Sequence, residues 1–252
     1  MLVRAVKGCH DAAIGFGTPF ISGKDSLNNE YRAGGKRLPV IPTLLISAVG
    51  VIDDVAQTVG MSLKTPGNLL YLVGTTREEM AGSHYAEVVG RDMFEQFFPY
   101  AAVPEVDIAH AYDTMKTLGS AIRKGLVCSC HDLSEGGLAV ALAEMAIAGS
   151  LGVRVDLGNL PPQDLQHSAP LARRQNVGNI VRLFSESASR FIVEVTPEHW
   201  EAFEAHMRRH GVEDIKHIGN VTDTGYLDIY DRDELIYLPV AELQKAWKGG
   251  QA

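Results

Sequence analysis

The run LAVALAEMAIAG at residues 138–149 constrains this chain more than any other stretch. It is apolar almost all round, and a helix without a polar face belongs inside a protein. The run LLYLVG at 69–74 is likewise nearly all apolar and reads as a buried strand. Around these two runs, strands and helices mix without a strict βαβ rhythm. Strands are expected at 126–130, 153–157, 215–221, 225–230 and 235–240, and helices at 77–90, 107–124, 198–210 and 241–248. The stretch IVRLFSESASRFIVEV at 180–195 reads as two strands about a polar loop, and 91–106 and 158–178 read as irregular. The expected fold class is α+β, with mixed sheets.

The N-terminal part has another character. Leu2, Val3, Val6, Cys9, Ala13 and Phe16 form a helical stripe that Gly15, Gly17 and Pro19 end. A chain that opens in mid-helix with an apolar face looks like the later part of something longer. LPVIPTLLISAVGVI at 38–52 reads as a long β segment, with Pro39 and Pro42 placing its start at an edge or a bend. A connector follows, with its turn at Pro66-Gly67. The expected domains are therefore 1–66 and 67–252.

Composition narrows the partners. Of 252 residues, 46% are hydrophobic and 21% charged, which suits a folded chain with a substantial core. The net charge is −8 and no basic run stands out, which argues against nucleic acid. A phosphorylated small molecule is compatible, because a local site needs only a few positive groups or a metal. No apolar segment approaches the roughly 20 residues of a membrane helix. Cys9, Cys128 and Cys130 lack a metal-ligand rhythm and read as small buried residues in a reducing, cytoplasmic setting.

Three polar stretches carry possible chemistry. Gly23-Lys24-Asp25-Ser26 is not a Walker loop: the spacing to Gly17 is wrong and Asp25 stands where a hydroxyl residue is needed. What is left is a glycine that lets backbone approach an anion, with Ser26 beside it, or else a polar turn. HDLSEGG at 131–137 is more specific. It sets His131, Asp132, Ser134 and Glu135 between a strand and a buried helix opened by Gly136 and Gly137. Unpaired amides and the positive end of the helix dipole suit an anion, or carboxylates holding a metal that carries phosphate. The plainer alternative is Ser134 as a helix cap with Glu135 complementing the dipole. FSESASR at 184–190 offers Ser185, Ser187, Ser189 and Arg190 to a phosphate or ribose, or is an ordinary polar turn. His84 reads as structural rather than catalytic.

In chain order, PFISGKDSLNNEY, IPTLLISAVGVIDDV, PGNLLYLVG, SCHDLSEGGLAVALAEMA and LFSESASRFIVEV resemble blocks of phosphoribosylformylglycinamidine synthase. This is the glutamine-dependent ligase of purine biosynthesis in the aminoimidazole ribonucleotide (AIR) synthetase superfamily. The resemblance runs from Leu2 to about Trp247. It implies that 1–66 is a partial AIR synthase-related N-terminal domain (last helix, GKDS loop, long strand). It implies that 67–252 is a complete AIR synthase-related C-terminal domain, both from the second of two similar halves.

It also implies residue roles. Gly23, Lys24 and Ser134 fall on nucleotide-binding positions, Ser26 on a substrate-binding position, and Asp132 on a magnesium position. Some members carry a magnesium-binding asparagine where this chain has Lys24, whose ammonium would then replace the cation's charge. The family's catalytic histidine and glutaminase cysteine fall outside these residues, so no catalytic residue is expected here and the chain alone is expected to be inactive. The implied cofactors are Mg2+ and ATP or ADP. The implied partners are formylglycinamide ribonucleotide, a glutaminase, small accessory subunits and further copies of the chain. Two alternatives stand beside this. One is a nucleotide-holding scaffold without turnover. The other is a different superfamily enzyme, such as thiamine-phosphate kinase or selenophosphate synthetase, which the joint presence of GKDS and HDLSEGG disfavours.

Overall fold

The apolar stripe at the start folds as helix α1 (Leu2–Phe16) in a computed structural model that describes residues 2–26, 29–160 and 174–249. Gly17 takes a left-handed φ of 66°, and the Thr18 amide donates back to the Ala13 carbonyl at 3.0 Å, closing the helix. The chain divides into two units, Met1–Val55 and Ala56–Ala252.

In the first unit α1 is followed by a hairpin of β1 (Glu30–Ala33) and β2 (Lys36–Pro39). Gly34 and Gly35 make its two-residue turn with φ of 56° and 74°, the conformation that twists with the strands and excludes most side chains. Glu30 accepts from both Arg32 and Arg37 across this ribbon. The long strand expected over 38–52 is not formed: regular pairing stops at Pro39, and 40–54 belongs to no ladder among the described residues. A strand exists only through a partner, and Pro39 and Pro42 bring no N–H to one. None of the described residues in 2–55 is buried.

The second unit holds a seven-stranded sheet. Its elements are β3 (Leu69–Val73), α2 (His84–Val89), α3 (Arg91–Phe97), α4 (Ile108–Arg123), β4 (Ser129–Asp132), α5 (Gly137–Gly149) and β5 (Gly152–Asp156). They continue as α6 (Arg174–Phe184), β6 (Phe191–Val195), α7 (Trp200–Arg209), β7 (Ile215–Thr222), β8 (Tyr226–Asp231), β9 (Asp233–Pro239) and α8 (Val240–Trp247). The strand order is β4-β6-β3-β7-β5-β8-β9, with β5–β8 the one parallel pair among these. The mixed α/β class read from the sequence is the one observed.

The sheet is covered on both faces. Along β3, Leu70 and Leu72 join a core with α5 and α8, whereas Tyr71 and Val73 join a second core with α4 and α7. Period-two alternation between two apolar layers is why the run 69–73 has no polar side. α5 is as buried as its composition requires: Leu138, Ala139, Ala141, Leu142, Met145 and Ala146 are all in the core.

Three local readings are corrected. IVRLF is the end of α6, not a strand, because Val177 and Val181, one helical turn apart, bury together against Met80 and Phe98. Residues 91–97 are helical rather than irregular, and the helix expected over 77–90 shrinks to α2, capped by Ser83 Oγ accepting from the Ala86 amide at 3.3 Å. Of the loop expected at 158–178, residues 161–173 lie outside the described residues. Among the described residues no helix is long and apolar enough to cross a membrane.

Candidate functional site

The stretch 131–137 leaves the end of edge strand β4 and enters α5. Leu133 is buried, and its amide donates to the Arg190 carbonyl at 2.9 Å. That anchor turns its neighbours outward: Asp132, Ser134 and Glu135 are exposed. The turn into the helix needs both glycines. Gly136 and Gly137 have φ of 80° and 65°, and a Cβ on Gly137 would meet the Ser185 carbonyl oxygen at 2.4 Å. Gly136 is the N-cap of α5 and brings no capping side chain of its own, so Ser134 is not the cap the plainer reading expected. Its carbonyl accepts from the Gly137 amide at 3.1 Å, which leaves its hydroxyl for other work.

The anion at this helix start is the protein's own. Glu186 Oε1 accepts from the Gly136 amide at 2.8 Å and from the His84 amide at 2.9 Å, tying the starts of α5 and α2 together. The sequence placed Glu186 inside a polar loop without a role; only its distance to residues 50 and 102 positions away reveals one. The histidine at 84 serves through its backbone, in keeping with a structural reading.

Two hydroxyls and the arginine of FSESASR are spent inside the fold. Ser185 Oγ donates to the Arg77 carbonyl at 2.7 Å, and Ser187 Oγ accepts from the Arg77 amide at 3.0 Å. Arg190 is buried, donating to the Ser187 and Ser185 carbonyls and to Thr76 Oγ1. Burial pulls its guanidinium down to about 10, still charged at neutral pH. This stretch fastens 76–79 to the sheet and does not offer a phosphate seat.

On β4, the His131 ring spans two carboxylates. Its Nε2 is 2.8 Å from Glu144 Oε2 on α5, and its Nδ1 is 3.4 Å from Asp132 Oδ1. One residue earlier, burial pushes the Cys130 thiol up to about 12, which makes it an inert packing group.

In the first unit Gly23, Lys24 and Ser26 are exposed on a segment without regular structure. Lys24 Nζ donates to Ser26 Oγ at 2.8 Å and to the Asp25 carbonyl. A Cβ on Gly23 would meet nothing within 4 Å, so the backbone there is open to approach. The five expected site residues thus fall into two local groups: Lys24 hydrogen-bonded to Ser26, and Asp132 beside Ser134 on one loop. Among the described residues no three His, Cys, Asp or Glu side chains form a complete metal cage.

Comparison with known proteins adds the family. Residues 65–232 match AIR synthase related protein, C-terminal domain. Phosphoribosylformylglycinamidine synthase subunit PurL of Limosilactobacillus reuteri is 35% identical over 247 residues, 98% of this chain and 29% of that protein. Its counterpart in Limosilactobacillus fermentum is 34% identical over the same share of each chain. The chain therefore spans about 29% of the length of these curated relatives. Among solved structures, T. maritima PurL complexed with FGAR superposes with a TM-score of 0.58 at 22% identity, covering 75% of this chain and 30% of that one. T. maritima PurL complexed with ATP gives 0.55 at 20%, covering 75% and 28%. At these identities the likeness is one of fold.

Proposed function

This chain belongs to the AIR synthase related family, and on that premise we propose that it forms part of a phosphoribosylformylglycinamidine synthase. Such a ligase converts formylglycinamide ribonucleotide, ATP and glutamine-derived ammonia into formylglycinamidine ribonucleotide, ADP and phosphate. The observation that carries this reading is 35% identity sustained over 98% of the chain to a protein of that name. The chemistry is carbonyl activation. An amide oxygen is a poor leaving group; taking up the γ-phosphoryl of ATP makes it a good one. Ammonia then forms the new C–N bond as phosphate departs.

We assign 1–66 to part of the family's N-terminal domain type and 67–252 to its C-terminal domain. Asp132 and Ser134 face solvent from one loop and are assigned to a magnesium nucleotide. Magnesium takes one or two protein carboxylates, with phosphate oxygens and water filling its other positions, so a single open carboxylate fits it. When bound, the cation offsets phosphate charge. Ser134 offers a hydroxyl to the nucleotide. Lys24 supplies a mobile point charge for phosphate, Gly23 an unobstructed backbone, and Ser26 a hydroxyl for substrate. No residue of this chain is assigned to proton transfer or nucleophilic attack. The chain acts with the remainder of the ligase, a glutaminase and accessory subunits, and in the cytoplasm.

The test is complementation. The chain is mixed with the portion of the ligase it does not span, and ammonia-dependent ADP release is followed. Release is expected from the mixture and not from the chain alone. A mixture that binds ADP tightly but never turns over would replace this reading with a nucleotide-holding scaffold.

A further inference from the structure

We propose that Glu186 is a positioning residue for the nucleotide loop, holding Ser134 in place through the Gly136 amide and coupling that loop to the start of α2. The proposal rests on the assignment of Asp132 and Ser134 to a nucleotide, and concerns what holds those residues rather than what they hold. One segment pins the loop on both sides of Ser134. Upstream, the Leu133 amide donates to the Arg190 carbonyl at 2.9 Å; downstream, the Gly136 amide donates to Glu186 Oε1 at 2.8 Å. Between these anchors Ser134 and Glu135 are exposed. The turn depends on the downstream anchor, because Gly136 and Gly137 both have positive φ and glycine brings no side chain to hold that conformation.

Glu186 is itself well fixed. Ser185 and Ser187, its neighbours, are fully buried and hydrogen-bonded to Arg77, and Arg190 donates to the carbonyls of both. The Glu186 side chain is only 16% exposed. Its Oε1 also accepts from the His84 amide at 2.9 Å. One oxygen thus serves the first residue of α2 and the N-cap residue of α5. A shift of either helix start has to move that oxygen or break a bond to it. A shared acceptor on a rigid loop is a physical link between two places, of the kind that carries coupling. Nucleotide at Ser134 steadies the loop, and through Glu186 it steadies α2.

The test uses the full chain with Mg2+–ADP as probe. Calorimetry is expected to show Glu186→Ala weakening Mg2+–ADP about tenfold, the scale on which an outer-shell partner supports the group it holds. Glu186→Gln keeps an acceptor oxygen at the same reach and is expected to recover most of that loss. Glu186→Asp keeps the charge but falls a methylene short, and is not. Amide exchange over residues 84–88 is expected to slow when Mg2+–ADP binds the wild type, and to stay unchanged in Glu186→Ala at saturating ligand. A contact that serves the fold alone would lower the variants' unfolding midpoints and leave their affinity for Mg2+–ADP at the wild-type value; that result overturns the proposal. So does wild-type binding without slower exchange over 84–88, which decides the matter even where a variant does not fold. A wild-type chain that binds no Mg2+–ADP removes the assignment of Asp132 and Ser134, and this proposal with it.

Discussion

Glu194 is a fully buried carboxylate that accepts from the Lys64 and Thr65 amides, from Asn68 Nδ2 at 2.7 Å and from Ser129 Oγ at 2.7 Å. It pins the segment entering β3 onto the middle of the sheet. Truncation to alanine leaves the buried Asn68 and Ser129 donors unpaired, each at about 1–3 kcal/mol. Glu194→Ala is accordingly expected to cost on the order of 3–4 kcal/mol, read as a lower urea midpoint at unchanged slope. Asp132 is its opposite. Its carboxylate is open to solvent and packs against little, so Asp132→Asn is expected to leave the midpoint within about 0.5 kcal/mol. The same change should weaken Mg2+–ADP markedly, as calorimetry would show. The sequence does not distinguish the two acids: one sits in an alternating apolar run, the other beside a histidine, and only burial tells a structural carboxylate from an available one. Arg190 makes the same point. A lone arginine among serines looks like a phosphate ligand until its donors are seen to be taken by carbonyls of its own loop.

At the scale of elements, legibility followed the number of neighbours that a pattern implies. α5 and β3 were readable because an all-apolar run has one solution, burial on every side. The two faces of β3 and the entry of HDLSEGG into α5 followed from it. α6 departs from the expected strand because IVRLF is a short, mostly apolar run that suits a buried strand as well as a helix; Val177, just upstream, settles the period by burying with Val181. The 38–52 run departs from the expected strand for another reason. Its composition favours a strand, but propensity provides no partner, and the ladder ends at Pro39. The α4–α7 contact carries a titratable group that no periodicity marks. His206 is buried, with Lys124 Nζ 3.2 Å from its Nδ1 and the His210 ring tilted at 46° with its centroid 4.6 Å away. Burial, then Lys124, His210 and Arg209, hold its pKa below the ordinary 6.5, against a smaller opposing backbone contact at Thr117. The folded state keeps His206 neutral while the unfolded chain takes a proton near 6.5, so the unfolded state binds more protons just below that pH. Stability from this interface is thus present above pH 6.5 and lost as pH falls from there to the depressed folded value. Unfolding midpoints measured between pH 5 and 8 should show this fall, and His206→Gln should flatten it.

At the scale of the molecule the two units differ in what holds them. Residues 56–249 enclose cores on both faces of a seven-stranded sheet, whereas none of the described residues in 2–55 is buried. The first unit carries instead Leu45 at 87% and Val49 at 94% exposure, along with Ile21, Ile41 and Val51. Apolar surface of that extent, on a segment whose backbone N–H and C=O groups find no ladder, favours association with another chain. Two consequences separate the units. The intact chain is expected to sediment as a dimer or larger, and removal of residues 1–55 should return it to a monomer. Because the deleted part contributes no core, the shortened chain should still unfold in one cooperative step, with its midpoint lowered by no more than a few degrees. A monomeric intact chain would show that residues 2–55 do not drive association. Loss of the cooperative step on deletion would show instead that the sheet depends on contacts made by the first unit.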